Sequence, residues 1–244
     1  MAKNSRRMDL TIIIPTYNER DNLEKTIAKL TPVLRKAKVD YEIVIVDDNS
    51  PDGTGAFAKQ LHAQDRRIKP FIRVNARGFG LSLRDGITHA KGKFIIPTSA
   101  DLADAPDDIV RLYRTIKKGY DVVYTTRFAK GGKIINYPGT KLFCNRAFNY
   151  LTTFLFLMPY HDISNGFKAY RKSILDALVI ESAGFEINPE LSIKSYLRGK
   201  TFAEIGVSWT GRTSGLSKLN LIKVGPRYVA MVLNLYWKRL IHNK

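Results

Sequence analysis

The chain has 244 residues, enough for one large domain, and its 44% apolar and 11% aromatic content excludes a disordered protein. Lysine and arginine total 40 against 22 acidic residues, and the formal net charge of +18 predicts an anionic partner: a nucleic acid, a phosphate-bearing substrate or a membrane surface. The single cysteine, Cys144, excludes an internal disulfide and indicates a reducing compartment.

The first half of the chain alternates between strand-like and helix-like segments. Apolar runs rich in β-branched residues predict strands over 10–15, 41–46, 68–74, 93–97 and 121–126. Helix-like segments lie between them, near 19–37, 54–64, 80–90 and 107–118. Unbroken isoleucine and valine runs are typical of strands covered on both faces, so we expect an α/β fold with a mostly parallel central sheet flanked by helices. Ligands of such sheets bind outside the carboxyl ends of the strands.

The second half is less regular. After a basic, glycine-containing loop at 127–137, the pattern predicts helices over 138–157, 188–199 and 220–242, and strands over 166–170 and 201–209. No repeat, low-complexity tract or linker divides the chain, so we expect residues 1–244 to form one domain.

Two helical segments, 147–160 and 228–237, are the most apolar in the chain. Neither contains the ~18–20 consecutive apolar residues that cross a bilayer, and the opening MAKNSRRMDL lacks the apolar core of a secretory signal. Burial in the protein core and attachment to a membrane surface are the alternatives for both segments.

Polar residues follow each of the first two predicted strands. In IIIPTYNERDNL, Tyr17 can stack on a nucleobase and Glu19 can accept hydrogen bonds from a ribose; the alternative is an ordinary turn with Asn18 or Asp21 as the helix N-cap. In IVIVDDNSPDGTG, the paired acids can anchor a nucleoside through its hydroxyl and N–H groups. A Walker-type phosphate loop is excluded because no Gly-Lys-Ser/Thr follows the glycines, and the triplet GFG at 78–80 is only a partial dinucleotide fingerprint.

The stretch FIIPTSADLADAPDD raises the question of a metal site. Asp101 follows a predicted strand, whereas Asp107 and Asp108 open the next helix and are explained as capping and helix-dipole residues. Mg²⁺ is commonly held by one or two carboxylates, with substrate phosphates and water as its other ligands, so Asp101 can suffice if the substrate is a nucleoside diphosphate. Further on, GRTSGLSKL is either a cationic loop that holds a diphosphate or a solvated basic loop.

Taken in order, PTYNE, VDDNSPDGT, RGFGLSLRDG, SADLADAP, TRF, DISNGFKAYRKSIL and RTSGLSK resemble glycosyltransferase family 2. Within that family the chain is most similar to the dolichyl-phosphate mannose synthases and related polyprenyl-phosphate glycosyltransferases, from about residue 10 to 219. The resemblance implies a GT-A nucleotide-sugar-binding fold and inverting transfer of a sugar to dolichyl or polyprenyl phosphate. Mannose from GDP-mannose is the family default, with UDP-glucose as the runner-up donor and a non-lipid acceptor as a further alternative.

The resemblance also divides the chain and assigns donor-side residues. It implies a nucleotide-sugar-binding half at about 10–130, an acceptor-side half at about 131–219 and a C-terminal amphipathic helix at 220–244. Ala100 and Asp101 would face the diphosphate and a divalent metal, Mg²⁺ or Mn²⁺. The nucleoside pocket would be lined by Pro15, Tyr17, Glu19, Val46, Asp47 and Asp48, and the donor would be closed over by Arg212 and Lys218.

On the acceptor side, Arg127 would lie between the donor and acceptor phosphates. Lys141 and Asn145 fall where the family places acceptor-phosphate ligands, although the family more often has Arg and Ser there. The acceptor phosphate is largely a dianion at neutral pH and needs no strong general base. The side chains Lys141, Asn145, Asn149 and Thr152 share one helix face, so we expect that helix in the headgroup region with its polar side toward the lipid phosphate.

One departure bears on activity. The family commonly reads Asp-Ala-Asp-x-Gln where this chain has SADLA at 99–103, so Asp101 alone remains of three usual metal-side residues, with Asp104 as a neighbouring substitute. The thinned motif leaves a weaker metal site or a catalytically silent nucleotide-sugar-binding subunit as alternatives. We expect peripheral contact with the cytosolic face of a membrane, with a membrane-protein partner as an option. Nucleic-acid binding is disfavoured because the basic residues are dispersed and no recognition motif is present.

Overall fold

The computed structural model of the chain describes residues 8–74, 76–101, 103–199, 201–211 and 221–242. In its first half, strands and helices alternate as β1 Leu10–Thr16, α1 Arg20–Lys36, β2 Tyr41–Asp47, α2 Thr54–Gln64, β3 Ile68–Ile72, α3 Phe79–His89, β4 Phe94–Pro97, α4 Pro106–Ile116 and β5 Val122–Thr126. In its second half follow β6 Lys133–Ile135, α5 Gly139–Phe156, β7 Ala169–Arg171, α6 Lys172–Asp176, α7 Ile187–Arg198, β8 Phe202–Gly206, β9 Ser208–Thr210 and α8 Leu221–His242.

Within these ranges the central sheet has seven strands in the order β3-β2-β1-β4-β7-β5-β8. Every neighbouring pair is parallel except those of β7, which runs antiparallel to both β4 and β5. All seven residues of β2 are buried, as expected for a strand that helices cover on both faces. The predicted mostly parallel sheet is thereby confirmed.

Helices cover both faces of the sheet through apolar stripes at helical spacing. One face packs against α1, α2 and α4, with Leu23 and Leu112 wholly buried there. The other packs against α3, α7 and the inner side of α8, represented by Leu83 and Leu191. Each such side chain contributes about 1.5–3 kcal/mol on burial, so the two layers account for the stability of the sheet.

The second half departs from the sequence prediction in three places. The predicted strand at 166–170 is the shorter β7 and is antiparallel, which apolar periodicity does not report. The predicted strand at 201–209 divides into β8 and β9, because residues up to Gly206 pair with β5 whereas those from Ser208 pair with β6. The predicted loop at 127–137 contains β6, which pairs with β9 in a separate two-stranded sheet.

Every helix in the described part of the chain falls short of the length or the apolar character that crossing a membrane requires.

Candidate active site

A cavity of about 930 Å³ opens at the carboxyl edge of the sheet. Loops after β1, β2, β4 and β5 form one part of its wall, as expected for a ligand site of a parallel sheet. The helices α5 and α8 form the opposite part. The cavity therefore lies between the two halves that the sequence pattern distinguishes.

The predicted nucleoside end of the cavity contains Pro15, Tyr17, Glu19 and Asp48. The Tyr17 hydroxyl accepts a hydrogen bond from Arg77 at 2.7 Å, and the Arg77 guanidinium lies 4.6 Å from the centre of the tyrosine ring. The Glu19 carboxylate accepts a bond of 2.6 Å from the Asn22 side chain. An aromatic ring and two carboxylates thus face one space of the size that a nucleoside needs.

Asp48 is fixed by three donors, of which Gly78 and Ser82 lie at the start of α3 and Arg73 follows β3. Its carboxylate accepts hydrogen bonds from the Gly78 backbone N–H at 2.9 Å and from the Ser82 hydroxyl at 2.7 Å, and it forms a buried ion pair with Arg73. Gly78 is required at this point because a Cβ would lie 2.6 Å from the Ala183 carbonyl oxygen. The first glycine of the GFG triplet therefore allows close packing against the Ala183 carbonyl, and this packing places the Gly78 N–H group within hydrogen-bond distance of Asp48.

Two residues assigned to the nucleoside pocket, Val46 and Asp47, do not line the cavity wall in the part of the chain that the structure describes. Val46 is fully buried among the apolar residues between β2 and α3. The Asp47 carboxylate accepts bonds from the Ser50 backbone N–H at 2.9 Å and the Thr16 hydroxyl at 3.1 Å, so it closes the turn after β2. The prediction is wrong for the position of these two side chains, because the turn uses the first acid and leaves only Asp48 on the wall.

At the end of β4, Ala100 and Asp101 lie on the cavity wall as predicted. One oxygen of the Asp101 carboxylate accepts a hydrogen bond from the Ala103 backbone N–H at 3.1 Å and another from the Ser99 hydroxyl. Ser99, at the position where the resemblance implies an acid, thus orients the carboxylate of Asp101.

Asp104 lies on the same wall and accepts a bond of 3.2 Å from the Thr98 hydroxyl. Burial and the nearby Asp101 charge raise the pKa of Asp104 to about 7, against the opposing influence of Thr98 and Arg127. No group of three or more metal-binding side chains occurs in the described residues. Two carboxylates whose charges oppose each other nevertheless suit a divalent cation that takes its other ligands from substrate phosphates and water.

Asp107 and Asp108 stand in the first turn of α4, where their charges favour the helix dipole. The predicted side-chain cap is wrong: the N-cap position is Ala105, and no side chain caps it. Asp108 pairs instead with Arg111 one turn later. At the start of α1 the N-cap position belongs to Glu19, not to Asn18 or Asp21, and again no side chain caps it.

The acceptor end is built around Arg127, which follows β5 and lies on the cavity wall. Its guanidinium is held by two parallel bonds to Asp162, of 2.6 Å from Nε and 2.8 Å from Nη2. The arginine is 8% exposed and Asp162 is 1% exposed. The buried carboxylate therefore fixes the orientation of the guanidinium group.

Lys141 and Asn145, on the first two turns of α5, face the same cavity as Arg127. The Asn145 amide donates to the Ser164 hydroxyl at 2.7 Å, and the Ser164 backbone N–H donates to the Asn149 side chain at 3.0 Å. The structure thus brings together all three predicted acceptor-side residues. Arg212 and Lys218 lie outside the described residues.

The polar stripe of α5 faces inward. Asn149 and Thr152 are buried, whereas Phe143 and Phe154 on the opposite side are each 76% exposed. That polar side forms part of the cavity wall and its support, and the apolar side faces outward. The expected contact of the polar side with a lipid phosphate stays a prediction.

The sequence predictions placed no site residue in the segment from Asp162 to Lys168. Part of it, residues 164–167, lines the cavity, and Asp162 supports Arg127. The motif DISNGFK contained the signal, since an acid and three further polar side chains beside a short strand indicate more than a connecting loop. Its place at the carboxyl edge follows from the antiparallel direction of β7, which the sequence pattern does not reveal.

Three comparisons place the chain among known proteins. Residues 11–179 match the family profile described as Glycosyl transferase family 2. A polyprenol monophosphomannose synthase of Mycolicibacterium smegmatis is 30% identical over 216 residues, which are 86% of this chain and 80% of that protein. A dolichol-phosphate mannosyltransferase of Pyrococcus furiosus is 32% identical over 215 residues, which are 87% of this chain but 59% of the relative.

Among solved structures, the chain resembles glucosyl-3-phosphoglycerate synthase from Mycobacterium tuberculosis in complex with Mn²⁺, UDP-glucose and phosphoglyceric acid. The TM-score is 0.72 at 18% identity, over 94% of this chain and 80% of that one. A second structure of that synthase, with UDP alone, gives a TM-score of 0.70 at 20% identity, over 94% and 80%. At this identity the likeness shows the fold, and the expected α/β GT-A fold is confirmed.

Proposed function

Because the chain belongs to glycosyltransferase family 2, we propose that it transfers mannose from GDP-mannose to a dolichyl or polyprenyl phosphate, inverting the anomeric centre. The two relatives that share about a third of their aligned residues with it carry names of this activity. The observation that carries the proposal is the single cavity that joins the nucleoside-type wall of Tyr17 and Asp48 to the cationic wall of Arg127 and Lys141.

On the donor side, Tyr17 offers a ring for stacking on the base, and the carboxylates of Glu19 and Asp48 accept hydrogen bonds from the nucleoside. Asp101, with Asp104 beside it, would hold Mg²⁺ or Mn²⁺ together with the diphosphate. The chemistry that such a cation supplies is neutralisation of the charge that develops on the leaving group. Ala100 has no side chain beyond Cβ, which leaves room for the diphosphate at this wall.

On the acceptor side, the phosphate oxygen attacks the anomeric carbon as the bond from that carbon to the donor diphosphate breaks. Two unit charges 4 Å apart repel by about 4 kcal/mol at an effective dielectric constant of 20. Arg127 and Lys141 would offset this repulsion, and the Asn145 amide would orient the phosphate. The dianion is the nucleophile itself, so this chain needs no general base there.

The proposal includes peripheral contact with the cytosolic face of a membrane. Exposed apolar side chains cover the outer sides of α5 and α8: Phe143, Tyr150, Leu151, Phe154, Val229, Leu233, Trp237, Leu240 and Ile241. The two helices contact each other, with the Arg239 guanidinium donating to the Leu155 carbonyl at 3.3 Å. A lipid acceptor would meet this apolar side where the cavity wall is formed by the same helices.

The test is a transfer assay with radiolabelled GDP-mannose or UDP-glucose, Mn²⁺ and either a polyprenyl phosphate or a soluble glycan. We expect labelled mannose in the lipid fraction, and we expect the label to be released from the lipid only under conditions that cleave a glycosyl phosphate. Transfer from UDP-glucose would correct the donor, and transfer to the glycan alone would overturn the lipid acceptor. Binding of GDP-mannose without transfer to either acceptor would indicate the silent subunit.

A further inference from the structure

Lys168, the residue that precedes β7, is buried completely beneath the acceptor-side wall. Its ammonium group donates to the carbonyl oxygen of Ile163 at 3.0 Å and to that of Asn165. Both carbonyls belong to the segment 162–167, of which residues 164–167 line the cavity. A lysine that is out of contact with water and bound to main-chain oxygens has no surface role to explain it.

The charges around Lys168 come from three directions. Asp162 lies in the same segment, Arg127 follows β5, and Glu204 lies in β8. The Tyr124 ring of β5 lies 5.8 Å from the ammonium nitrogen, and its hydroxyl donates to the Ser192 carbonyl oxygen. Burial lowers the pKa of the Lys168 ammonium to about 7; Arg127 acts in the same direction, and the two acids oppose it.

The segment that Lys168 holds carries the supports of two acceptor-side residues. Asp162 at its start fixes the Arg127 guanidinium, and the Ser164 hydroxyl accepts the bond from Asn145. Asn165 is bound to the Thr125 hydroxyl at 2.7 Å, so the segment is also fixed to β5. Loss of one ammonium proton leaves two N–H donors for the two carbonyls but removes the charge, so both bonds weaken from charge-assisted to neutral hydrogen bonds and hold the segment less firmly between these supports.

We infer that Lys168 is a positioning residue of the acceptor site: its ammonium binds the carbonyls of Ile163 and Asn165 and so sets the places of Arg127 and Asn145. The inference rests on the proposed transfer to a polyprenyl phosphate. It also assigns a proton dependence to acceptor use, because only the protonated form makes charge-assisted bonds to both carbonyls and a second phosphate anion stabilises that form.

The test compares kcat/KM for a short-chain isoprenyl phosphate across about pH 6 to 9 in wild type and in Lys168→Met. This parameter reports groups of the free enzyme and the free substrate. In wild type we expect a rise as the acceptor phosphate loses its second proton near ~6, and a fall as the pH passes about 7 and Lys168 loses its proton. Lys168→Met should keep the rise, lose the fall, and be lowered about tenfold or more near neutrality.

The donor side supplies the controls. GDP binding in the presence of Mn²⁺ should change less than about twofold in Lys168→Met, because the base and diphosphate walls lie on other loops. Lys29→Met removes the same charge from the exposed side of α1 and should behave as wild type in every measurement. Asp104 has its own pKa raised to about 7, so the difference between wild type and Lys168→Met, rather than either profile alone, assigns the group.

If Lys168→Met retains the falling limb, or keeps full kcat/KM, the inference is wrong. Should this variant fail to fold, the inference can still be tested with wild type alone, by measuring proton uptake when an isoprenyl phosphate binds. The measurement is calorimetry at about pH 8 in two buffers of different ionisation enthalpy. Uptake is expected, and its absence overturns the inference. Failure of wild type to transfer mannose to any lipid phosphate would instead reject the proposed function.

Discussion

The Arg127–Asp162 pair combines a fixed cation with complete burial of its counterion. Removing one partner of such a pair leaves an uncompensated charge away from water, which typically costs about 3–5 kcal/mol. The pair is therefore a structural requirement of the acceptor wall as well as the source of its positive charge.

We expect Asp162→Asn to lower the free energy of unfolding by about 3 kcal/mol, because the Arg127 guanidinium loses its charged partner while one carbonyl acceptor remains. Urea unfolding measures this. The matched control is Asp176→Asn, which breaks an exposed pair with Lys172 and should cost less than about 1 kcal/mol. Equal losses in the two variants would contradict the structural reading.

Asp101→Asn should lower kcat with GDP-mannose and Mn²⁺ by about a hundredfold or more, since the amide cannot neutralise a cation at the diphosphate. The thermal midpoint should stay within a few degrees of wild type, because the hydrogen bonds of Asp101 to Ser99 and to the Ala103 N–H lie within its own loop. Asp107→Asn removes an equivalent charge from the exposed start of α4 and should keep its turnover. An unchanged kcat in Asp101→Asn would remove this residue from the mechanism.

At the scale of single residues, nine of the eleven predicted site residues in the described part of the chain lie on the cavity wall. Acids and aromatic residues directly after predicted strands, such as Tyr17, Asp48 and Asp101, are where the rule for parallel sheets places them. Sequence reasoning failed for Asp47, because only the geometry of the turn decides which of two adjacent acids faces the ligand. It passed over Lys168, because burial of a lysine depends on contacts between segments far apart in the chain.

Among the helices, α8 is joined to the protein by polar contacts as well as by apolar packing. Lys238 forms an ion pair of 2.9 Å with Glu181, which also binds Lys194 of α7 at 2.8 Å. The Tyr228 hydroxyl donates to the Phe185 carbonyl at 2.9 Å. Hydrogen bonds from the two lysines lower the pKa of Glu181 to about 2. These contacts hold the helix that forms part of the cavity wall.

We expect Glu181→Gln to speed amide hydrogen exchange in α8 at neutral pH, with little change in the central strands. The carboxyl pKa is lower in the folded protein than its usual 4.5, so its contribution is present above about pH 4.5 and is lost as the pH falls toward 2. The pair is half exposed, and the loss should be at most about 1 kcal/mol. Glu24→Gln breaks an exposed pair on α1 and should leave α8 unchanged; equal exchange in α8 of wild type and Glu181→Gln would contradict the contact.

The order and type of most elements followed from hydrophobic periodicity, especially in the first half, where apolar strands alternate with helices and are bounded by turn residues. Of the three-residue strands, β6 was missed, β7 was predicted without its direction, and β9 was merged with β8, because a stretch this short carries too few side chains to show a period. Their pairing is decided by distant neighbours. The polar side of α5 was predicted as one helix face, but the segments that it packs against did not follow from the sequence, since a helical stripe defines a face and not what that face meets.

Viewed as a whole, the protein combines a net charge of +18 with one apolar outer side on α5 and α8. The two features would act together on an anionic bilayer, where each suitably placed basic residue adds about 1 kcal/mol and buried apolar side chains add a contribution that salt does not screen.

We expect binding to anionic vesicles to weaken as salt is raised but to persist in part, as measured by sedimentation. The double variant Phe154→Ser, Trp237→Ser removes two of the most exposed rings and should abolish the part that resists salt. Val74→Ser, at an 85% exposed apolar position after β3, serves as the control and should bind as wild type. Identical binding by the double variant would place the membrane contact elsewhere.

The antiparallel strand β7 has a further consequence as a spacer. It keeps β4 and β5 two strand widths apart, about 10 Å, and so separates the loop that carries Asp101 from the loop that carries Arg127. A hexose that lies between the donor diphosphate and the acceptor phosphate needs a gap of that order. The leaving diphosphate would lie on the Asp101 side of the gap, and the attacking phosphate would lie on the Arg127 side. Changes in the residues that lead into β7 would then alter the reach toward the acceptor and leave recognition of the nucleotide intact.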